Sequence, residues 1–294
     1  MSSTTSSRLP PELEREIFEI AAQEYPGTAP AILRIARRVF IWIEPLIYRY
    51  IMTQHNADVR GVRYALPHKP AGYFEKHVRH LFLRVGEEDS DPEEMDELIL
   101  SDDEGYALLT RCTNIESLWI AGVAGDAEAR YIALVKRLPR IRKWCGGFID
   151  MFRILRPQAG QPLAPFYQSL SHVMLLEDVL PPETLVGLAL LPSLTHLCLS
   201  DEQEASSFRD ALQQCRHLQL LIGVYYTLES AERWTNNPPV SDDRFVVYAK
   251  LTLDLWIDWE TGLRGDVDMW VAAESFIARK KRREVSGFVV VEGR

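Results

Sequence analysis

The residues best able to do acid–base work in this 294-residue chain lie near its C-terminal end, where Asp254, Asp258, Glu260, Asp266 and Asp268 stand among Trp256, Trp259 and Trp270. Carboxylates beside aromatic rings are what a glycosidase uses to protonate a leaving oxygen, and a metal-dependent hydrolase uses them to hold its ion. The linear traces that accompany most catalysis are missing: no G-x-S-x-G, no phosphate-binding G-x-x-x-x-G-K-[ST], no G-x-G-x-x-G and no H-E-x-x-H. Carboxylates and tryptophans also decorate the ends of repeat arrays. On that balance the chain reads as non-enzymatic, with no catalytic residue, no cofactor and no metal site. A hydrolase built on these carboxylates is the less favoured alternative.

Other reactive side chains point the same way. His77 and His80 are the closest histidine pair and have no third ligand nearby in sequence. Cys112, Cys145, Cys198 and Cys215 are widely spaced and never form C-x-x-C, so buried free thiols in a reducing compartment are expected. Residues 87–104 hold eleven acidic side chains in eighteen positions. Without a turn glycine or EF-hand spacing they read as a solvated insertion rather than a calcium loop.

Those residues need elements to position them, and composition bounds the elements. With 47% hydrophobic and 26% charged residues, the chain has the make-up of an ordinary soluble globular protein, long enough for one large domain plus a small one, and the strand and helix patterns below make it α/β. A net charge of −9 argues against a general nucleic-acid or anionic-membrane surface. No apolar run is long enough to span a bilayer and no signal peptide is evident, so a cytoplasmic and/or nuclear location is expected.

Residues 1–8 are Ser/Thr-rich and expected to be a disordered tail, with a small helical unit over residues 9–54. Leu13, Ile17, Ile20 and Ala21 recur at helical spacing among Glu12, Glu14, Arg15, Glu16 and Glu19, and Pro10-Pro11 suits the first turn. Tyr25-Pro26-Gly27-Thr28 breaks the pattern. Ile32, Leu33, Ile35, Ala36, Val39, Phe40 and Ile43 resume it, and a third short helix is expected after Glu44-Pro45, carrying Leu46, Ile47, Tyr48 and Ile51. Three helices in so short a stretch cannot bury a core alone, so the unit should lean on a neighbour or a partner.

Leu9-Pro10-Pro11-Glu12-Leu13, Ile17-Phe18, the segment 33–38, Trp42 and Leu46-Ile47-Tyr48-Arg49 together resemble an F-box, in particular the F-box-like proteins of mushroom-forming fungi. Gln23 to Thr28 stands where that family has a leucine-containing linker. The resemblance implies that Leu9, Pro10, Leu13 and Ile17, with Leu33 and Trp42 from the later helices, dock a Skp-type adaptor of a cullin ubiquitin ligase. Trp42 could face the following domain instead. The competing reading is a helical cap that binds nothing.

A connector over 55–75 follows, in which Pro67 and Pro70 argue against a long helix. Residues 76–294 then show a weak repeat. Short apolar strands are expected at 80–85, 116–120, 142–145, 172–176, 196–200, 219–223 and 245–248, with helical patterns between them. Aligning Leu81, Leu118, Trp144, Val173, Leu197 and Leu220 gives intervals of 37, 26, 29, 24 and 23 residues, the first lengthened by the acidic insertion. Leucine-rich repeats run about 20 to 29 residues, so an irregular leucine-rich-repeat-like β-α solenoid is preferred to a doubly wound sheet. A helix over about 266–281 should pack on the last strand and close the array, with Arg279 to Arg283 suiting its C-terminal dipole better than an import signal. The expected function is target recognition within a Skp-cullin-type ubiquitin ligase: the helices hold the adaptor and the repeat surface holds a target protein of unknown identity. A scaffold of the same architecture without adaptor binding is the alternative.

Overall fold

The computed structural model describes residues 9–86, 99–148, 150–153, 155, 162–177, 179–200, 203–225, 231, 234, 238–249 and 255–291. The expectations for 1–8, for most of the acidic insertion (87–98) and for Asp254 lie outside them. The protein is α/β, and nine short strands form one open sheet: β1 (Tyr50–Met52), β2 (His80–Arg84), β3 (Ser117–Ala121), β4 (Lys143–Gly146), β5 (His172–Leu175), β6 (His196–Ser200), β7 (Leu220–Tyr225), β8 (Phe245–Ala249) and β9 (Val289–Val291). They lie side by side in chain order, and every neighbouring pair is parallel. A doubly wound sheet must reverse its strand order at a switch point, and this one never does.

One rung crosses eight strands: Ile51, Leu81, Leu118, Trp144, Val173, Leu197, Leu221 and Phe245. The spacing-based alignment on Leu220 is therefore one residue early, and Leu220 points to the opposite face. Both Leu220 and Leu221 are buried, because this strand is covered on both sides, so hydrophobicity alone could not fix the register. A backbone motif repeats at the strand entries. The Arg49 carbonyl accepts from the N–H groups of Arg79 and His80, at 3.0 Å each. The carbonyls of Arg79, Glu116, Arg142, Ser171 and Thr195 do the same in turn for the next strand.

Between the strands run α4 (Asn56–His68), α5 (Tyr73–His77), α6 (Asp102–Arg111), α7 (Asp126–Val135), α8 (Asp150–Arg153), α9 (Pro165–Ser169), α10 (Pro182–Leu188) and α11 (Ala205–Gln214). All of them pack on the face that carries Ile51, Leu81 and their rung-mates, forming the larger core. The supposed connector is mostly α4. Pro67 falls in its last turn, where a proline removes only one intrahelical bond near the end, and the N–H of Lys69 still closes on Ala65. The described end of the acidic insertion is the start of α6, with Ser101 and Glu104 forming a reciprocal capping box.

The other sheet face is covered by α12 (Leu255–Leu263) and α13 (Met269–Lys281). Leu255, Trp259, Met269, Trp270, Ala273, Phe276 and Ile277 bury Met52, Phe82, Trp119, Cys145, Met174, Cys198, Ile222 and Val246. The C-terminal helix thus forms about where its pattern placed it. It lies over the face of the sheet, while β9 continues the end of the array.

The N-terminal unit comprises α1 (Pro11–Glu24), a 3₁₀ turn (Pro26–Thr28), α2 (Ala29–Ile32) and α3 (Arg37–Ile47). The chain breaks at extended Ala36 instead of at Glu44-Pro45, so the expected third helix does not form and Ile51 joins β1. Pro45 lies inside α3, where it removes the one intrahelical bond that its N–H would give to the Ile41 carbonyl.

Candidate functional site

The N-terminal helices enclose a small core of Ala22, Ala29, Ile32, Val39 and Ile43. Phe18 and Ala21 of α1 pack against it, as do Leu33, Ala36, Trp42 and Leu46. Glu14 of α1 accepts two hydrogen bonds from the Arg38 guanidinium of α3, at 2.9 and 2.6 Å, and this exposed fork fixes how the two helices cross.

With that side of α1 turned inward, the stripe at Leu9, Leu13, Ile17 and Ile20 faces out. These side chains are 54%, 48%, 52% and 51% exposed, and Pro10 beside them is exposed too. Leu13, Ile17 and Ile20, at spacings of four and three, form one ridge along α1, and exposed Leu9 lies just ahead of the helix start at Pro11. The fold has no use for that ridge, because the helix meets its neighbours through Phe18, Ala21 and Ala22. The six expected adaptor-binding residues therefore divide. Leu9, Pro10, Leu13 and Ile17 share the outer face, whereas Leu33 and Trp42 are half-buried within the unit's own core.

Ile35, Phe40, Ile41 and Ile47 are also exposed, and the sequence pattern did not separate them from the inward residues. Reading Ile32 to Ile43 as one helical pattern puts Ile35 and Phe40 on the same stripe as Val39 and Ile43. The break at Ala36 changes which way they point.

The unit is joined to the sheet domain at one polar junction. Glu44 of α3 pairs with Lys69 and accepts from the Tyr73 hydroxyl at 3.0 Å. Lys69 lies 5.1 Å over the Tyr48 ring and 4.6 Å over that of Tyr73. Burial, reinforced by the Glu44 charge, pushes the phenols of Tyr48 and Tyr73 up, so both stay protonated and able to donate.

The described C-terminal carboxylates are taken up by structural contacts. Asp258 is buried and accepts from the Met269 N–H at 3.0 Å and from the Tyr248 hydroxyl at 3.4 Å. Asp268 caps α13 by accepting from the Val271 N–H at 2.9 Å, with Lys143 at 3.6 Å. Glu260 pairs with Arg264 at 2.5 Å, and Asp266 is exposed. This arrangement starts and seats a helix. Among the described residues no group of three His, Cys, Asp or Glu side chains is placed to hold a metal ion. A cleft of about 360 Å³ lies elsewhere, between the α4–α5 link and α6, lined by Leu66, Pro67, Pro70, Phe74 and Arg111 among others.

The histidine pair noted in sequence is split between α5 and β2. His80 instead stacks on Tyr50, with ring centroids 5.0 Å apart. His172 and His196 stack at 4.1 Å, both edge-on to Trp270 of α13, and His196 bonds Glu274 at 2.9 Å. The repeat alignment held the signal for this: His80, His172 and His196 each immediately precede an aligned apolar residue. All four cysteines are buried and free. Burial pushes each thiol up, away from the reactive thiolate.

By its architecture the chain belongs to the α/β proteins with one open, sequentially ordered parallel sheet, here preceded by a small helical unit. No family model matches it, and neither does any curated protein. Among the described residues no helix is long and apolar enough to cross a membrane.

Proposed function

We propose that the protein is a recognition subunit of a Skp-cullin-type ubiquitin ligase, an F-box-like unit followed by a leucine-rich-repeat-like solenoid. The observation that carries this reading is the exposed ridge Leu13-Ile17-Ile20 on a helix already packed through its other side, with exposed Leu9 just ahead of it. Covering the exposed half of each side chain is worth on the order of 1 kcal/mol, enough together to anchor a helix-binding partner. A helical cap that binds nothing has no reason to present such a ridge. The solenoid reading is supported by the sequential parallel order, the rung from Ile51 to Phe245 and the repeated strand-entry carbonyl. In this role the protein positions a target protein and raises its effective concentration at the transferring subunits. The reading places it in the cytoplasm and/or nucleus, where four free thiols are at home.

Co-purification with a Skp-type adaptor tests the proposal. Wild type should form a stable complex, and Leu13→Glu/Ile17→Glu should lose it at least a hundredfold while keeping its circular dichroism and melting temperature, since neither side chain is in the core. A folded wild-type chain that ignores the adaptor would reduce the N-terminal helices to a cap on a scaffold.

A further inference from the structure

The face that a curved repeat array would offer to a target is occupied in this chain by α12 and α13. Any recognition surface must therefore lie elsewhere, and the charge distribution marks one. The strand entries of β1 to β4 concentrate cations in a protein whose net charge is −9. Lys136, Arg137, Arg140, Arg142 and Lys143 lead into β4 with no acid among residues 136–143. Lys76 and Arg79 lead into β2, and Arg49 into β1.

The repeated entry motif sets these groups side by side. The Arg49 carbonyl binds the N–H of Arg79, the Arg79 carbonyl that of Glu116, and the Glu116 carbonyl that of Arg142, at 3.0, 2.7 and 2.8 Å. Three of four consecutive rungs thus begin with arginine. Among the described residues Glu116 pairs with Arg79, at 3.8 Å. Lys143 faces Asp268 at 3.6 Å. Among the described residues Arg49, Lys76, Arg137, Arg140 and Arg142 form no ion pair, and Arg49, Arg137, Arg140 and Arg142 are exposed. The imidazole at the start of β2 lies among the same cations: burial pushes His80 down to about 3, and Arg49, Lys143 and Arg79, from three different strand entries, add to that effect.

We propose that this strand-entry edge is a docking strip for an extended acidic segment of a partner protein, its carboxylates taken by Arg49, Arg140 and Arg142. Guanidinium groups are suited to carboxylates because two N–H donors meet two oxygens at once. Neighbouring rungs are about 4.8 Å apart, so the path from Arg49 to Arg142 is roughly 14 Å, or about four residues of extended peptide. A run of consecutive acidic residues matches that length. The strip is separate from the α1 ridge and does not depend on adaptor docking.

Fluorescence anisotropy with a fluorescein-labelled ten-residue polyglutamate peptide tests it on the full chain. Wild type should bind at low ionic strength and weaken steeply with salt, as expected for screened charges. Arg49→Gln/Arg142→Gln should bind at least tenfold more weakly. Arg34→Gln/Arg209→Gln, which removes the same charge from exposed sites elsewhere, should change affinity less than twofold. Arg140→Gln, in a connecting loop, provides a second strip variant if the double substitution lowers the melting temperature. Equal losses in the strip and control variants would overturn the proposal, as would no binding by wild type. So would tighter binding of a ten-nucleotide single-stranded RNA than of the peptide, which would make the edge a nucleic-acid surface.

Discussion

His80 and His172, both half-buried, are the titratable side chains with the clearest consequence for stability. Burial pushes both down to about 3, and neighbouring cations add to the effect at each, as does His196 at His172. In the unfolded chain they titrate near 6.5, so between about pH 6.5 and 3 the unfolded state binds more protons than the folded one. Their neutral burial therefore contributes full stability above pH 6.5, and that contribution falls as the pH drops through this window. Glu104, Asp242 and Glu284, all held below their usual range, act only in more acid solution, while Asp58, pushed up by burial, acts in the opposite sense and His77, pushed down by burial, in the same one, so the share of His172 is read from its own variant. Urea unfolding should show a loss of about 2 kcal/mol from pH 7 to pH 5 for the pair, allowing for their partial access to water. In His172→Phe, which keeps the stack on His196, that loss should fall by about half; an unchanged slope would assign the pH dependence to other groups. The three strand-initial histidines were legible as a recurring position once the repeats were aligned. Their surroundings were not: His172 and His196 are covered by Trp270 of a helix far along the chain, and His80 stacks on Tyr50.

Elements here are held by close backbone approach as much as by side-chain interlock. Gly187 sits in α10 against α8, and a Cβ at that position would lie 1.9 Å from the Phe152 carbonyl oxygen. Backbone cannot yield as a flexible side chain can, so Gly187→Ala must push α8 and α10 apart. The expected cost is about 3 kcal/mol, measured as a lowered urea midpoint with an unchanged slope. Gly61→Ala in α4, where a Cβ would meet nothing within 4 Å, is the matched control and should be neutral to slightly stabilising. Elements were legible wherever a segment carried one dominant periodicity. The seven strands from β2 to β8 were readable as short apolar runs, and α1 from its charged and apolar spacing. The failures have physical causes. Prolines read as breakers were absorbed inside α3 and in the last turn of α4, and three residues of β1 are too short a run to separate from a helix end. The apolar-rich sequence of α12, with buried Leu255, Asp258 and Trp259, has no polar face sharp enough to declare a helix. On α1 the outward stripe was legible residue by residue, and only the structure showed that the helix packs through the other side.

At the scale of the whole molecule, the decisive feature is that a two-layer arrangement of sheet and helices has been made into a three-layer one. An open repeat sheet needs only the helices on one side, and its other face is normally free. In this chain α12 and α13 return across that face and bury Phe82, Trp119, Met174, Ile222, Val246 and Tyr248. At about 1.5 to 3 kcal/mol for each large apolar side chain, that cover is worth on the order of 10 kcal/mol, comparable with the entire net stability of an ordinary domain. The helices therefore behave as part of the core and not as a lid in ready equilibrium with an open form. Two structural devices agree with this: buried Asp258 ties the start of α13 to α12, and β9 pairs with β8 immediately after α13. A chain ending at residue 254 should lose cooperative unfolding, bind a hydrophobic dye strongly and elute as aggregates, even though α1 to α11 and β1 to β8 are all present in it. If that shortened chain instead stayed monomeric with a sharp transition, α12 and α13 would be a detachable cover, and the inner sheet face would become a second candidate for holding a partner. The strand-entry strip would be unaffected by that result, because Arg49, Arg140 and Arg142 are exposed with the helices in place.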